Sequence, residues 1–291
     1  FSGDEFGYSI SLGMPSPSGS SFELDPEIKR ECIWAGNAFR PANLLVDREG
    51  SVIRVRTDRD WDFVAQHTNS FESLFSQVAD PTRTPEVLAL REEIRGWRFY
   101  DHFRTDDEAP ARLSQLGTRT PVLHHDGRDL AAALQTIIEI GDAEALRGAI
   151  SDAFPGARLE ISVQQGGRFG LELHQAGLLR PLSGLELSDG TLRYLLWVAA
   201  LLTPRPPPLI VLNEPETSLH PDLLPALSRL IIRAAESTQV WVVTHAGGLI
   251  AALERSEECN SIRLEKVLGQ TQVMDQDLLD EPSWHWPDQA K

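Results

Sequence analysis

Two short apolar runs, residues 209–212 and 239–244, flank one amphipathic helical stretch, and this arrangement restricts the fold more than any other feature of the chain. The first run follows Pro206-Pro207-Pro208 and is apolar throughout, as expected for a strand buried on both faces of a parallel sheet. Between the runs, Leu223, Leu227, Leu230, Ile231 and Ala234 share one helical face. Pro221 and Pro225 fall at or near its first turn, where a missing N–H costs little. The pattern predicts a βαβ unit, right-handed by the crossover rule. Such sheets bind ligands beyond the carboxyl ends of their strands. Asn213, Glu214 and His245 stand at those ends.

A glutamate directly after a strand can polarise an attacking water, and a histidine on the neighbouring strand can reach a phosphate oxygen. The pair suits in-line phosphoryl hydrolysis, in which Mg²⁺ bridges the phosphates and the protein mainly positions and stabilises charge. Upstream, Leu187-Ser188-Asp189-Gly190-Thr191 immediately precedes an apolar helical stretch over 192–202. Ser188 is a good N-cap, Gly190 permits close approach of a ligand, and the helix N-terminus offers unpaired N–H groups to an anion. Ser218-Leu219-His220-Pro221 lies between the two strand ends. Any one of these signals is commonplace, but their order and spacing point jointly to a nucleotide site. One part is missing. A phosphate loop needs Gly-Lys-Ser/Thr, and none of Lys29, Lys266 and Lys291 follows a glycine.

At 291 residues the chain has room for one large or two modest domains. Its net charge of −16 is spread along the sequence, which disfavours non-specific contact with nucleic acid. Cys32 and Cys259 match no metal spacing, and a reducing cytosol is the simplest compartment. No apolar run nears the roughly 20 residues that span a bilayer. The start at Phe1 lacks both a signal-like stretch and an initiator methionine, so the expectation is the C-terminal part of a longer protein.

Elsewhere, residues 5–13 and 51–56 read as strands, and the first runs into a turn-rich Pro15-Ser16-Pro17-Ser18-Gly19. Phe71, Leu74, Phe75 and Val78, then Val87, Leu88, Arg91, Ile94 and Trp97, give a helical reading over 70–103. Residues 105–121 read as a mobile connector, 129–139 and 143–154 as helices, and 158–164 with 168–174 as a hairpin around Gln165-Gly166-Gly167.

Together these motifs resemble the C-terminal lobe of ABC-type ATPases of the branch that includes SMC, RecF and OLD proteins. The likeness is greatest to the stand-alone bacterial predicted ATPases of the AAA/ABC-like class. The specific core spans residues 187–245. The resemblance implies an α/β fold of the P-loop NTPase kind, ABC ATPase-like, with a mixed sheet and a helical insertion, and N-terminally truncated. It implies residual strands of the N-terminal lobe over 1–60, a helical insertion and lobe connector over 61–155, and the C-terminal ATPase lobe over 156–291. Ser188, Asp189 and Gly190 would belong to a signature motif contacting ATP held by the opposite protomer of a homodimer. Residues 209–213 would be Walker B, Glu214 the catalytic base, Ser218 and His220 part of a D-loop, and His245 a switch. ATP and Mg²⁺ are the implied cofactors, and a protein partner or nucleic acid would engage the full-length protein. Gln66 and Gln77 are both candidates for the lobe-connecting glutamine.

Asn213 stands where such motifs usually carry Asp, which implies Mg²⁺ held through a water and slow turnover. The full-length protein is thus expected to hydrolyse ATP as a nucleotide-sandwich dimer, with this chain alone inactive. The alternative is a dimerisation or regulatory module that does not hydrolyse. An OLD-like nuclease ranks below both, because Asp275, Asp277 and Asp280 lie in too short a tail for such a domain. His124-His125-Asp126 reads as a polar turn, Trp284-His285-Trp286 as a packing latch or partner patch, and 254–258 as a solvated helix end.

Overall fold

A computed structural model describes residues 1–15, 21–22, 24–57 and 60–274. The proposed roles of Asp275, Asp277, Asp280 and Trp284-His285-Trp286 lie outside the described residues. The chain divides into two units, one of residues 1–95 and one of 96–274.

The first unit is an antiparallel meander of β1 (Phe6–Gly13), β2 (Glu27–Ala35), β3 (Leu44–Glu49), β4 (Val52–Arg56) and β5 (Trp61–Ala65), joined in chain order. Two helices follow, α1 (Leu74–Gln77) and α2 (Pro85–Gly96). Ile33, Val46, Ile53 and Val55 from alternate strand positions pack with Leu74, Val87 and Leu90. Arg48 and Glu31 are fully buried beside this core and pair at 2.7 Å. Tyr8, Ser73 and the Leu74 N–H also donate to Glu31, so the carboxylate has several partners. Helical periodicity over 70–103 is only partly realised. Phe71 is exposed, α1 is a single turn before Pro81, and the chain becomes extended after Gly96.

That extended piece opens the second unit as β6 (Arg98–Tyr100), followed by β7 (Gln115–Leu116), α3 (Leu130–Ile140) and α4 (Ala143–Ala153). Next come β8 (Arg158–Gln164), β9 (Arg168–His174), β10 (Leu182–Ser183) and α5 (Asp189–Leu201). Then come β11 (Leu209–Asn213), α6 (Leu224–Ala235), β12 (Gln239–Val243), α7 (Gly247–Leu253), β13 (Leu264–Val267) and β14 (Gln270–Val273). β8 and β9 form the expected antiparallel hairpin, extended by β7 and β10. Residues 105–121, far from loose, bury Ala109, Ala111 and Arg112.

β11 pairs in parallel with β12 on one side and β6 on the other, giving the order β12-β11-β6. Ile210, Leu212 and Tyr100 face a core built from Leu130, Leu134, Leu195, Leu196 and Leu227 on α3, α5 and α6. α5 is apolar nearly all round, and its residues 192–200 are buried. On the opposite sheet face the expectation of burial on both sides is met only in part: on β11 Leu209 is buried and Val211 half-buried, while the neighbouring strands are open. Phe99, Val211 and Trp241 lie in register there, with Phe99 and Trp241 57% and 60% exposed. β12 is an edge strand, and alternate positions along it are exposed. The result is a mixed α/β fold with P-loop-NTPase-like topology.

Candidate functional site

Because the three strands are parallel, their carboxyl ends gather at one edge of the sheet. Tyr100 pairs with Leu212, so Asp101 follows beside Asn213. The Asn213 amide Nδ2 donates to Asp101 Oδ1 at 2.5 Å. Asp101 escaped the sequence reading because three residues of strand carry too short a pattern to be told from the end of a helix.

The next residue, Glu214, continues the pairing by donating its N–H to the Val243 carbonyl at 2.8 Å. This fixes Glu214 opposite the end of β12 and brings its Oε1 within 3.3 Å of His245 Nε2. Glu214 adopts φ 44°, and Ser218, four residues on, adopts φ 62°. Left-handed backbone at non-glycine residues is costly and concentrates where a local shape is required. The intervening turn is held by Thr217 N–H to Glu214 O and Leu219 N–H to Glu216 O. The buried Trp197 indole adds a hydrogen bond to Pro215 O at 2.9 Å.

Glu216 was not singled out in the sequence. Its Oε1 accepts from the Thr244 hydroxyl at 2.6 Å, tying the turn to the end of β12, and its Oε2 is buried without a hydrogen-bond partner among the described residues. His220 caps the short helical turn at Pro221, accepting from the Asp222 N–H, and its side chain is exposed.

Ser188 is the N-cap of α5 and accepts from the Thr191 N–H at 3.2 Å. Gly190 abuts the Ser218 turn, since a Cβ at that position would meet Ser218 O at 3.0 Å. The structure therefore brings Asn213, Glu214 and His245 together at the strand ends, and joins Gly190 to Ser218. The segment 214–218 links the two groups. Gln66 and Gln77 both belong to the first unit, and the Gln77 amide donates to Glu72.

Among the described residues, two other clusters offer metal-ligating atoms. His124, His125 and Asp126 come together, but His124 Nδ1 lies 2.7 Å from Asp126 and its Nε2 faces the Arg128 guanidinium, as in a polar turn. Glu160, Glu172 and His174 meet across β8 and β9, where Arg158 and His174 each pair with Glu160.

The fit to Mg-ATP is partial. Glu214, His245 and the capped α5 terminus have the character of groups that approach a phosphate from outside. Nothing in the sequence supplies the Gly-Lys-Ser/Thr cradle. The Asn213 amide nitrogen is engaged with Asp101, which leaves only its carbonyl oxygen for a hydrated ion.

A parallel βαβ core with acid and imidazole at its strand ends, beside the Ser188-capped helix α5, is accompanied by a distant relationship to the ATP-binding P-loop NTPases. Residues 4–251 match the family described as "AAA domain, putative AbiEii toxin, Type IV TA system". The chain belongs to that family. No curated protein matches it. Among solved structures it is similar to an SMC head bound to the C-winged helix domain of ScpA, at 13% identity and TM-score 0.45, over 90% of this chain and 78% of that one. It is similar to the SMC head domain from Thermotoga maritima at 14% identity and TM-score 0.40, over 86% and 75%. It is also similar to an SMC ATPase structure from work on ATP-driven dimerization and DNA-stimulated activation, at 16% identity and TM-score 0.40, over 50% and 89%. Among the described residues, no helix is long and apolar enough to cross a membrane.

Proposed function

We propose that this chain acts as a regulatory association module of the ATPase family: it pairs with a second copy through the signature helix and the Ser218 turn, without turnover. The hydrogen bond from Asn213 Nδ2 to Asp101 Oδ1 carries this reading, because the strand-end position that would present a carboxylate to Mg²⁺ is a neutral amide held against Asp101, with only its carbonyl oxygen to offer. Ser188, Asp189, Ser218, His220 and His245 are all exposed, as an association surface requires.

A second reading is favoured by the proximity of Glu214 to His245. In a protein whose phosphate loop comes from elsewhere, Glu214 is the base that orients water and His245 the contact to the terminal phosphate, with Ser188 and Gly190 reaching the nucleotide of the opposite protomer. A protein or nucleic-acid partner belongs to that larger assembly.

Sedimentation velocity of the 291-residue chain, without nucleotide and with Mg-ADP or Mg-ATP, alongside a phosphate-release assay, separates the two. The module reading expects a dimer and no phosphate release. A monomer under every condition sinks it. Phosphate release that disappears in Glu214→Gln replaces it with the hydrolytic reading.

A further inference from the structure

Arg112 lies in the segment that the sequence marks as a loose connector, yet its side chain is only 3% exposed. Its guanidinium spreads over three stretches of chain. Nε donates to the carbonyls of Thr105 at 3.1 Å and Asp106 at 3.0 Å, and Nη2 to Thr105 at 2.7 Å. Nη1 donates to the Leu187 carbonyl at 2.5 Å and to Gly184 at 3.2 Å. Nη2 also meets Asp189 Oδ1 at 2.6 Å. The backbone of the same residue is committed too, since a Cβ on Gly184 would lie 2.6 Å from the Arg112 carbonyl. One residue thus grips the turn on both sides of Ser188.

The pairing with Asp189 has an electrostatic consequence. Asp189 is the first residue of α5 and its side chain is 60% exposed. An unneutralised carboxylate at that point would cancel the positive end of the helix and repel any incoming anion or acidic surface. A planar guanidinium fans five N–H donors out to these four carbonyls and the carboxylate, whereas an ammonium offers three from a single atom.

We infer that Arg112 is the positioning residue of the signature turn: it fixes the Leu187 carbonyl and neutralises Asp189, so that the Ser188-capped end of α5 is presented without net negative charge. This rests on the reading of that turn as the association surface.

The test uses the 291-residue chain with Arg112→Met, Arg112→Lys, Asp189→Asn and the Met/Asn double variant. Two quantities are read: amide hydrogen exchange over residues 188–192, and the self-association constant. Exchange at Gly190 and Thr191 is expected to quicken roughly tenfold or more in Arg112→Met, and also in Arg112→Lys, for loss of charge-assisted hydrogen bonds. Asp189→Asn keeps the acceptor oxygen and leaves exchange unchanged. Association is expected to weaken in Arg112→Met, strengthen in Asp189→Asn and recover in part in the double variant, which loses the carboxylate charge but keeps the loosened turn. A purely structural role would leave association unchanged in Asp189→Asn.

Unchanged exchange in Arg112→Lys, or association no stronger in Asp189→Asn than in the wild type, overturns the inference, and both variants remain informative if Arg112→Met does not fold. If the wild-type chain shows no association, the proposed function fails. The exchange result alone then decides whether Arg112 holds the turn.

Discussion

His245 Nε2 stands 3.3 Å from Glu214 Oε1, each side chain projecting from just beyond the end of one of two adjacent parallel strands. The His245 side chain is 78% exposed and that of Glu214 44%, and solvent-accessible pairs of this kind contribute little to stability. His245→Ala is therefore expected to change the unfolding free energy by less than about 0.5 kcal/mol. In a protein supplied with a phosphate loop, Glu214→Gln is expected to slow turnover about 10²- to 10⁴-fold. Urea denaturation and a steady-state phosphate assay check the two halves separately.

Asn213→Asp places two carboxylates at hydrogen-bond distance, because Asp101 Oδ1 lies 2.5 Å from Asn213 Nδ2. Their repulsion should lower the melting temperature in the absence of divalent cations. Mg²⁺ should then restore stability by about 1.4 kcal/mol at roughly ten times its Kd, a response absent from the wild-type chain. Thermal melts with and without Mg²⁺ decide the matter, and parallel curves for the two proteins would refute it.

Glu186 precedes the Ser188 cap of α5, and its carboxyl is pulled from 4.5 down to about 2, first by the Arg180 guanidinium and then by the backbone and hydroxyl of Ser183. A depressed folded-state pKa stabilises above the unfolded value and ceases to do so as pH falls through the folded one. The contribution is thus complete above pH 4.5 and lost toward pH 2. Wild-type melts should steepen in that window more than those of Glu186→Gln, and identical pH slopes would count against the pair.

Trp197 is 1% exposed, and its indole N–H donates to Pro215 O at 2.9 Å. Trp197→Phe removes ring volume and strands the carbonyl, at a cost of about 2 to 4 kcal/mol. Hydrogen exchange should also quicken in the turn from Glu214 to Ser218. A loss of stability without that local change would mean the indole supports the core and not the turn.

Much of the second unit was legible because its periods are long. The βαβ pattern, the two helices before β8 and the hairpin of β8 with β9 follow from runs that hold one period for five residues or more. The meander of the first unit was read only in part. Its β2 carries Glu31 and its β3 carries Asp47 and Arg48 at buried positions, so the polar and apolar alternation that marks a strand is broken by buried ion pairs. β6 was hidden because Trp97 and Phe103 extend the apolar spacing of α2 past Gly96. At the site, the strand-end residues could be named from order and spacing. Asp101 and Arg112 could not, since contacts across a sheet or over a long stretch of chain leave no local trace.

The open row of Phe99, Val211 and Trp241 bears on how the protein behaves in solution. An apolar face that the described residues leave open, next to a strand edge that they leave unpaired, is adhesive, and surfaces of this type seed precipitation. A charge of −16 opposes this by keeping copies apart. Added salt shortens the range of that repulsion and leaves the apolar attraction intact. Colloidal stability is therefore set by ionic strength: dilute buffer keeps the protein dispersed, and salting brings out the adhesion of a single sheet face.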